Sequence, residues 1–421
     1  MLLMSKFTAV LRNRNFFFLW LGQIISQLGD RLGFMALIGF AYSANTKASA
    51  YAIFKVFLFT IIPVFLIGPV AGAYVDRWDR RRTMYACDLL RAFFVLLIPF
   101  FLFHARIFPL AYFFVFLVFC LARLFLPAKM AIVPDLVNAQ DLLIANSLIN
   151  ITGMIAFVVG SGISGVLVQW IGAERGFYLD ALSFLFSAAL IFLITTKVSG
   201  LADIRIISGD IVEVIRKSIV QEIKEGLVYF LRNKDIRLTA GVLFMLASCL
   251  GILSVASIVF VQNTLGSATK DLGLLIMFLG LGLFLGSLIY GRFGQRISHY
   301  KVIFTSLILS GIMLVVFSVT ISKYQSFRVA ALLSLALGIL VAPIMIASNT
   351  IIHKVSDNEM MGKIFSSLEI VMHLGFLLFM FISSFLADKF SNLSILVIVG
   401  CVFSVIGVIN LIYQRKIPWL D

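Results

Sequence analysis

Charge is what this chain has least of. Asp, Glu, Lys and Arg make up 13% of its 421 residues, about half the share found in an ordinary soluble domain. The four histidines stand far apart, at positions 104, 299, 353 and 373. Cys87, Cys120, Cys249 and Cys401 lie in apolar segments without CxxC spacing, which argues against both a disulfide framework and a zinc site. No HExxH, GxSxG or GxxxxGK[ST] occurs. The chain is therefore expected to be no enzyme, to hold no metal or cofactor, and to draw no energy from a nucleotide site of its own.

What is abundant is apolar surface. Hydrophobic residues reach 61% and the mean hydropathy is +1.07, values that belong to a polytopic membrane protein. Runs of about 20 apolar residues can cross the ~30 Å hydrocarbon layer as helices. Twelve such runs are expected, over 15–42, 49–75, 83–103, 107–126, 143–170, 175–196, 237–262, 271–291, 301–321, 327–350, 362–387 and 393–413. They are continuous rather than alternating, which excludes barrel strands. The fold class is thus an all-α membrane protein: twelve transmembrane helices in two six-helix bundles, residues 1–196 and 237–421. Residues 197–236 join them, and Ile211, Ile215, Ile219, Ile223 and Leu227 recur there at steps of four among charged residues. That is the pattern of an amphipathic helix lying on the inner membrane face.

Lys and Arg set the orientation. With the N-terminus inside, the inner connections and tails carry 23 of them and the outer connections 7, so both termini are expected to be cytoplasmic in a plasma or inner membrane. The same asymmetry accounts for the net charge of +14 through contact with anionic headgroups. Without a compact basic domain, a nucleic-acid partner is not expected.

Four short segments share a register of one small residue, three mostly apolar ones and a polar or glycine hinge: GAYVDRW (72–78), GVLVQWI (165–171), SLIYGRF (287–293) and SFLADKF (384–390). Each is expected to close the second span of a three-span unit, alternately inside and outside. Inverted three-helix repeats of this kind mark secondary transporters, whose substrate sites lie near the bilayer midplane between repeats.

Several residue groups are candidates for mechanism. In GPVAGAYVDRWDRRR (68–82), Asp76 stands among Arg77, Arg80, Arg81 and Arg82. Positive-inside anchoring explains the arginines but not the aspartate; an electrostatic latch between inner helix ends explains both. Asp88 and Arg91 are assigned to the same inner gate, with Gly362 at the start of span eleven as the small residue that lets helix ends approach. Ionisable residues inside apolar spans are costly and therefore functional candidates. Asp30 can pair with Arg31 or Arg123, or take up a proton or a cationic substrate, with Gln27 one turn earlier. Glu369 and His373, four residues apart, share one helical face and can exchange protons, although Glu369 is close enough to the inner end simply to be wet. Asn146 and Asn150 can bond a substrate or a neighbouring helix.

The stretch GPVAGAYVDRWDRRR resembles the signature loop of the major facilitator superfamily, with Asp79 where that loop normally has glycine. LPAKMAIVPDLVNAQDLLIANSL (126–148), QEIKEGLVYFLRNKDIR (221–237) and MGKIFSSLEIVMHLGFLLFMFISSFLADKF (361–390) resemble its macrolide-efflux branch. AFVVGSGISG (156–165) is similar to the superfamily's antiporter motif at Gly160 and Gly165 but lacks its proline. Its small residues also permit close helix packing. The resemblance implies export of a hydrophobic or amphipathic compound, a drug-resistance type of efflux, by alternating access in exchange for protons, from a monomer in the lipid bilayer. The LPAKMAI segment and Gly29-Asp30 are also similar to lysophospholipid transporters. Siderophore export is a further variant, and a non-transporting sensor or channel is the reading from another class.

Overall fold

The computed structural model of the chain describes residues 7–8, 10–43, 50–68, 71, 78–195, 228, 234–294, 297–355 and 358–414. Helices account for nearly all of them. They are α1 (Arg14–Ser43), α2 (Ala50–Leu66), α3 (Arg80–Pro99), α4 (Phe108–Leu136), α5 (Leu142–Ile171), α6 (Ala173–Phe192), α7 (Lys234–Leu265), α8 (Lys270–Phe293), α9 (His299–Tyr324), α10 (Phe327–Val355), α11 (Asn358–Lys389) and α12 (Asn392–Gln414). Eleven are long and apolar enough to cross a membrane. The exception, α2, has 17 residues, and helical hydrogen bonds from Ile67 to Pro63 and from Ala71 to Ile67 run on beyond its end. The chain groups into two compact units, Met1–Phe40 with Lys55–Ile215, and Ala41–Phe54 with Arg216–Asp421. The expected amphipathic connection at 197–236 falls almost wholly outside the described residues.

One helix departs from its expected span. Pro127, Lys129 and Pro134 make 127–141 read as a connection, yet α4 continues to Leu136 and Lys129 is 7% exposed. Prolines are tolerated in spanning helices because neighbouring groups take up the freed backbone positions. The turn from α5 into α6 takes a single residue. Gly172 has φ 90° and ψ 157°, a conformation essentially restricted to glycine, and its N–H still bonds the Val168 carbonyl at 2.9 Å.

In the amino-terminal unit the ionisable side chains of α3 and α6 turn inward among apolar core residues, while large apolar side chains face outward. On α3, Leu89, Leu90, Phe93 and Leu96 are exposed while Asp88 and Arg91 are buried. On α6, Leu182 and Phe186 point outward while Asp180, Ser183 and Ser187 are buried. This inversion suits a bundle whose solvent is hydrocarbon: ionisable side chains turn to the interior and one another.

In the carboxyl-terminal unit helices meet through small residues. A Cβ on Gly282 of α8 would stand 3.0 Å from the Gly338 Cα of α10, and one on Gly311 of α9 would stand 2.8 Å from the Ser404 backbone nitrogen of α12. Such contacts supply the dispersion that holds helices together where lipid removes the hydrophobic driving force. Gly282→Val is expected to lower stability by about 1–3 kcal/mol, the usual cost of overfilling a packed interior. It should appear as a fall in the thermal midpoint of the purified protein. Gly241→Val, where nothing lies within 4 Å of the added carbon, should leave the midpoint unchanged.

Candidate functional site

Polar side chains tie the helix ends of the amino-terminal unit where α3 begins. Asp79 caps α3, accepting from the Arg82 N–H at 2.9 Å, so the aspartate standing in a glycine position starts a helix. Arg80 donates to the Ala131 carbonyl and to the Asp135 carboxylate of α4, both at 2.9 Å. Arg81 donates to the Phe192 carbonyl, the last of α6, and lies over the Phe192 ring. Asn13 caps α1 and donates to the Leu136 carbonyl at 2.5 Å; Asn15 and the Thr195 backbone bond each other reciprocally. Carbonyls at helix C-termini lack intrahelical partners and carry the negative end of the helix dipole. Cationic and amide donors there satisfy both.

About 12 Å deeper along α3, eight residues at 1.5 Å each, lies a second and more enclosed group. Arg91 is its centre. Its guanidinium donates to the Asp30 carboxylate of α1 at 2.6 Å and to Asp88, one turn earlier, at 3.4 Å. It lies 3.9 Å from the centroid of the Phe184 ring of α6. Asp88 is fully buried and also accepts from the Ser187 hydroxyl at 2.6 Å. Spacing explains the convergence: Asp180, Ser183 and Ser187 fall on one face of α6, as Asp88 and Arg91 do on α3.

Alpha1 approaches α6 through two glycines. A Cβ on Gly29 would overlap the Ser183 side chain, and one on Gly33 would overlap the Asp180 carboxylate. Asp180 is 4% exposed, and its Oδ1 has no hydrogen-bond partner among the described residues. Lys129 of α4 lies within electrostatic reach of Asp30. The cluster therefore holds three carboxylates, the shared guanidinium of Arg91, and Arg31 and Lys129 within electrostatic reach of its acids, all inside spanning helices.

Several candidates take other places than the sequence suggested. Asp30 forms its salt bridge with Arg91, and Arg31 stays within electrostatic reach of it. Arg31 lies 4.8 Å from the Phe157 ring centroid of α5, and Arg123 is half-buried on α4. Asp88 and Arg91, assigned to the inner gate with Asp76, join Asp30 and Ser187 instead, because the buried face of α3 turns them into the bundle. Asp76 and Arg77 lie outside the described residues, and Gly362 is placed only as a residue of α11. His373 Nδ1 bonds the main-chain carbonyl of Glu369 at 2.8 Å, and Glu369 is exposed. Gln27 lies against α5, with its Oε1 3.6 Å from a Cβ built on Gly153. Asn146 and Asn150 are exposed on α5. Gly160 and Gly165 are buried there, and Gly160 faces Leu28 and Arg31 of α1. Asp180, Ser183, Ser187 and Lys129 did not figure among the sequence candidates. Among the described residues, no three His, Cys, Asp or Glu side chains are grouped to hold a metal ion.

A family model described as transmembrane secretion effector matches residues 5–354. The chain is 24% identical over 357 residues to the uncharacterized MFS-type transporter YkuC of Bacillus subtilis, covering 84% of this chain and 81% of that protein. It is 22% identical over 380 residues to macrolide efflux protein A of Streptococcus pyogenes, covering 89% of each. Among solved structures it is similar to a bacterial homologue of the iron transporter ferroportin in an inward-facing state, with TM-score 0.70 and 15% identity over 94% of this chain and 98% of that one. It is also similar to a POT family transporter in complex with 5-aminolevulinic acid, with TM-score 0.71 and 14% identity over 96% of each. At these identities the structural likeness shows the fold alone.

The site carries a stability prediction. Arg91→Met strips the cation from two carboxylates, and breaking a buried charge pair costs about 3–5 kcal/mol. The thermal midpoint should fall accordingly. Adding Asp30→Asn and Asp88→Asn to the same protein should recover part of the loss, because the two carboxylates stripped of their cation are then neutral.

Proposed function

The chain belongs to the transmembrane secretion effector family of major facilitator transporters, and we propose that it exports hydrophobic or amphipathic compounds of the macrolide type in exchange for protons, by alternating access. The observation that carries this reading is the similarity to macrolide efflux protein A along 89% of both chains, a span that takes in both units. The buried cluster supports the proton half. Carboxylates retained inside apolar helices at a cost of roughly 2.5–3.5 kcal/mol each need a use, and proton binding at one face of the membrane with release at the other supplies one.

In this reading Asp30 is the outward-reaching member of the cluster, 31% exposed against 5% for Arg91. Its role in this reading is to sense a bound substrate and pass the change to Arg91. Movement of lysophospholipid between leaflets is the less supported reading. Gly29, which stands in the Gly-Asp pair shared with those transporters, is accounted for here by the close approach of Ser183 and Asp180, and Lys129 of the LPAKMAI segment by its burial near Asp30.

The test is a binding screen followed by transport. A ligand present at 100 times its Kd stabilises the folded state by about 2.7 kcal/mol, so macrolides should raise the thermal midpoint of the purified protein while lysophospholipids leave it unchanged. In proteoliposomes an imposed pH gradient should drive macrolide accumulation, and a protonophore should abolish it. Stabilisation by lysophospholipid alone, or accumulation indifferent to the gradient, would contradict the proposal.

A further inference from the structure

We propose that Asp180 is the acid that carries the exchangeable proton of the amino-terminal unit, held in its neutral form between α1 and α6. Its part in transport rests on the proton-exchange reading above; its protonation rests on where the residue stands.

Arg91 is committed to Asp30 at 2.6 Å and to Asp88 at 3.4 Å, and the Ser187 hydroxyl supplies a further donor to Asp88. Asp180 has no such partner: among the described residues neither a salt bridge nor a hydrogen bond reaches its Oδ1, although the residue is 4% exposed. Its charged neighbours are Asp30 and Arg31 of α1 and Arg91 of α3; Asp88 lies on α3 beyond Arg91. Lys129 of α4 lies near Asp30, and α5 contains no charged residue.

An ionised carboxylate enclosed without a partner costs far more than a neutral acid, so such a group gives up its charge instead. The surroundings favour the acid further. The carboxyl group lies against the backbone of α1 at Gly29 and Gly33, where any larger residue would displace it. Asp180 is also near a second carboxylate, Asp30, and like charges in one site resist simultaneous ionisation.

Release follows from one movement. When Arg91 turns from Asp30 towards Asp180, the O–H bond of the carboxyl group breaks and its proton passes to a water molecule. The electron pair stays on the carboxylate, which the guanidinium then compensates. Asp30 is freed in the same movement, which suits a residue that alternates between Arg91 and a cationic or polar substrate.

Infrared spectroscopy of the purified protein tests the protonation. Wild-type protein at neutral pH should show a carboxylic-acid carbonyl band that moves in deuterium oxide. The band should be lost in Asp180→Asn and kept in Asp30→Asn. A band of undiminished intensity in Asp180→Asn overturns the assignment. Should that variant fail to fold, Asp180→Glu should keep the band at a changed frequency, and an unmoved band there overturns it as well.

Proteoliposomes test the role in transport. Wild-type protein that draws nothing from a pH gradient would end the exchange reading before any variant is made, and leave the infrared result standing. If the gradient does drive the wild type, Asp180→Asn should lose gradient-driven accumulation while keeping substrate counterflow. Full gradient-driven accumulation by that variant removes Asp180 from the pathway.

Discussion

The amino-terminal unit depends on one guanidinium. Arg91 bonds two carboxylates from two helices and covers an aromatic ring on a third, and in a low-dielectric interior each contact is stronger than it would be in water. Without Arg91, Asp88 and Asp30 would have to remain repelling anions inside the bundle or give up their charge. With it, α1, α3 and α6 acquire a shared polar centre, and the rest of the local sequence fits around that centre. Gly29 and Gly33 let α1 approach, Ser187 completes the shell of Asp88, and leucine and phenylalanine occupy the outer faces of α3 and α6.

The arginines that follow the first hinge segment do a different job. Arg80 and Arg81 reach the C-terminal ends of α4 and α6, where orphaned carbonyls and the helix dipole favour positive charge. The bundle is thus fastened twice along α3, once at its start by half-buried arginines and once deeper by the buried one. The two fastenings differ in kind. The outer is partly solvated, with Arg80 and Asp135 both about one-third exposed, and ion pairs of that sort contribute at most about 1 kcal/mol. The inner is enclosed, and removing one partner there leaves a charge with no solvent to take it up.

The fold was largely legible in the sequence, because bilayer thickness turns apolar run length into helix length. α1, α5 and α12 begin and end within a residue of their apolar runs. The end of α4 was not, since two prolines and a lysine imitate a connection unless the surrounding helices are known to absorb them. Of the site, the ionisable residues could be found singly by their cost in a membrane, as Asp30, Asp88 and Arg91 were. Their grouping could not, because it depends on which face of α3 is buried. Asp180 went unnoticed because it stands two turns from the start of α6, where an acid reads as an end residue wetted by solvent. Only the approach of α1 through its glycines encloses it.

The central claim is that binding of an exported compound and occupancy of a buried acid by a proton exclude one another. Proton release on substrate binding tests this most directly, measured with a pH-indicating dye in a weakly buffered solution of purified protein titrated with a macrolide that binds it. Acidification that rises with occupancy and saturates with it is the result the account predicts. Saturable binding with no change in proton content across the neutral range would contradict it.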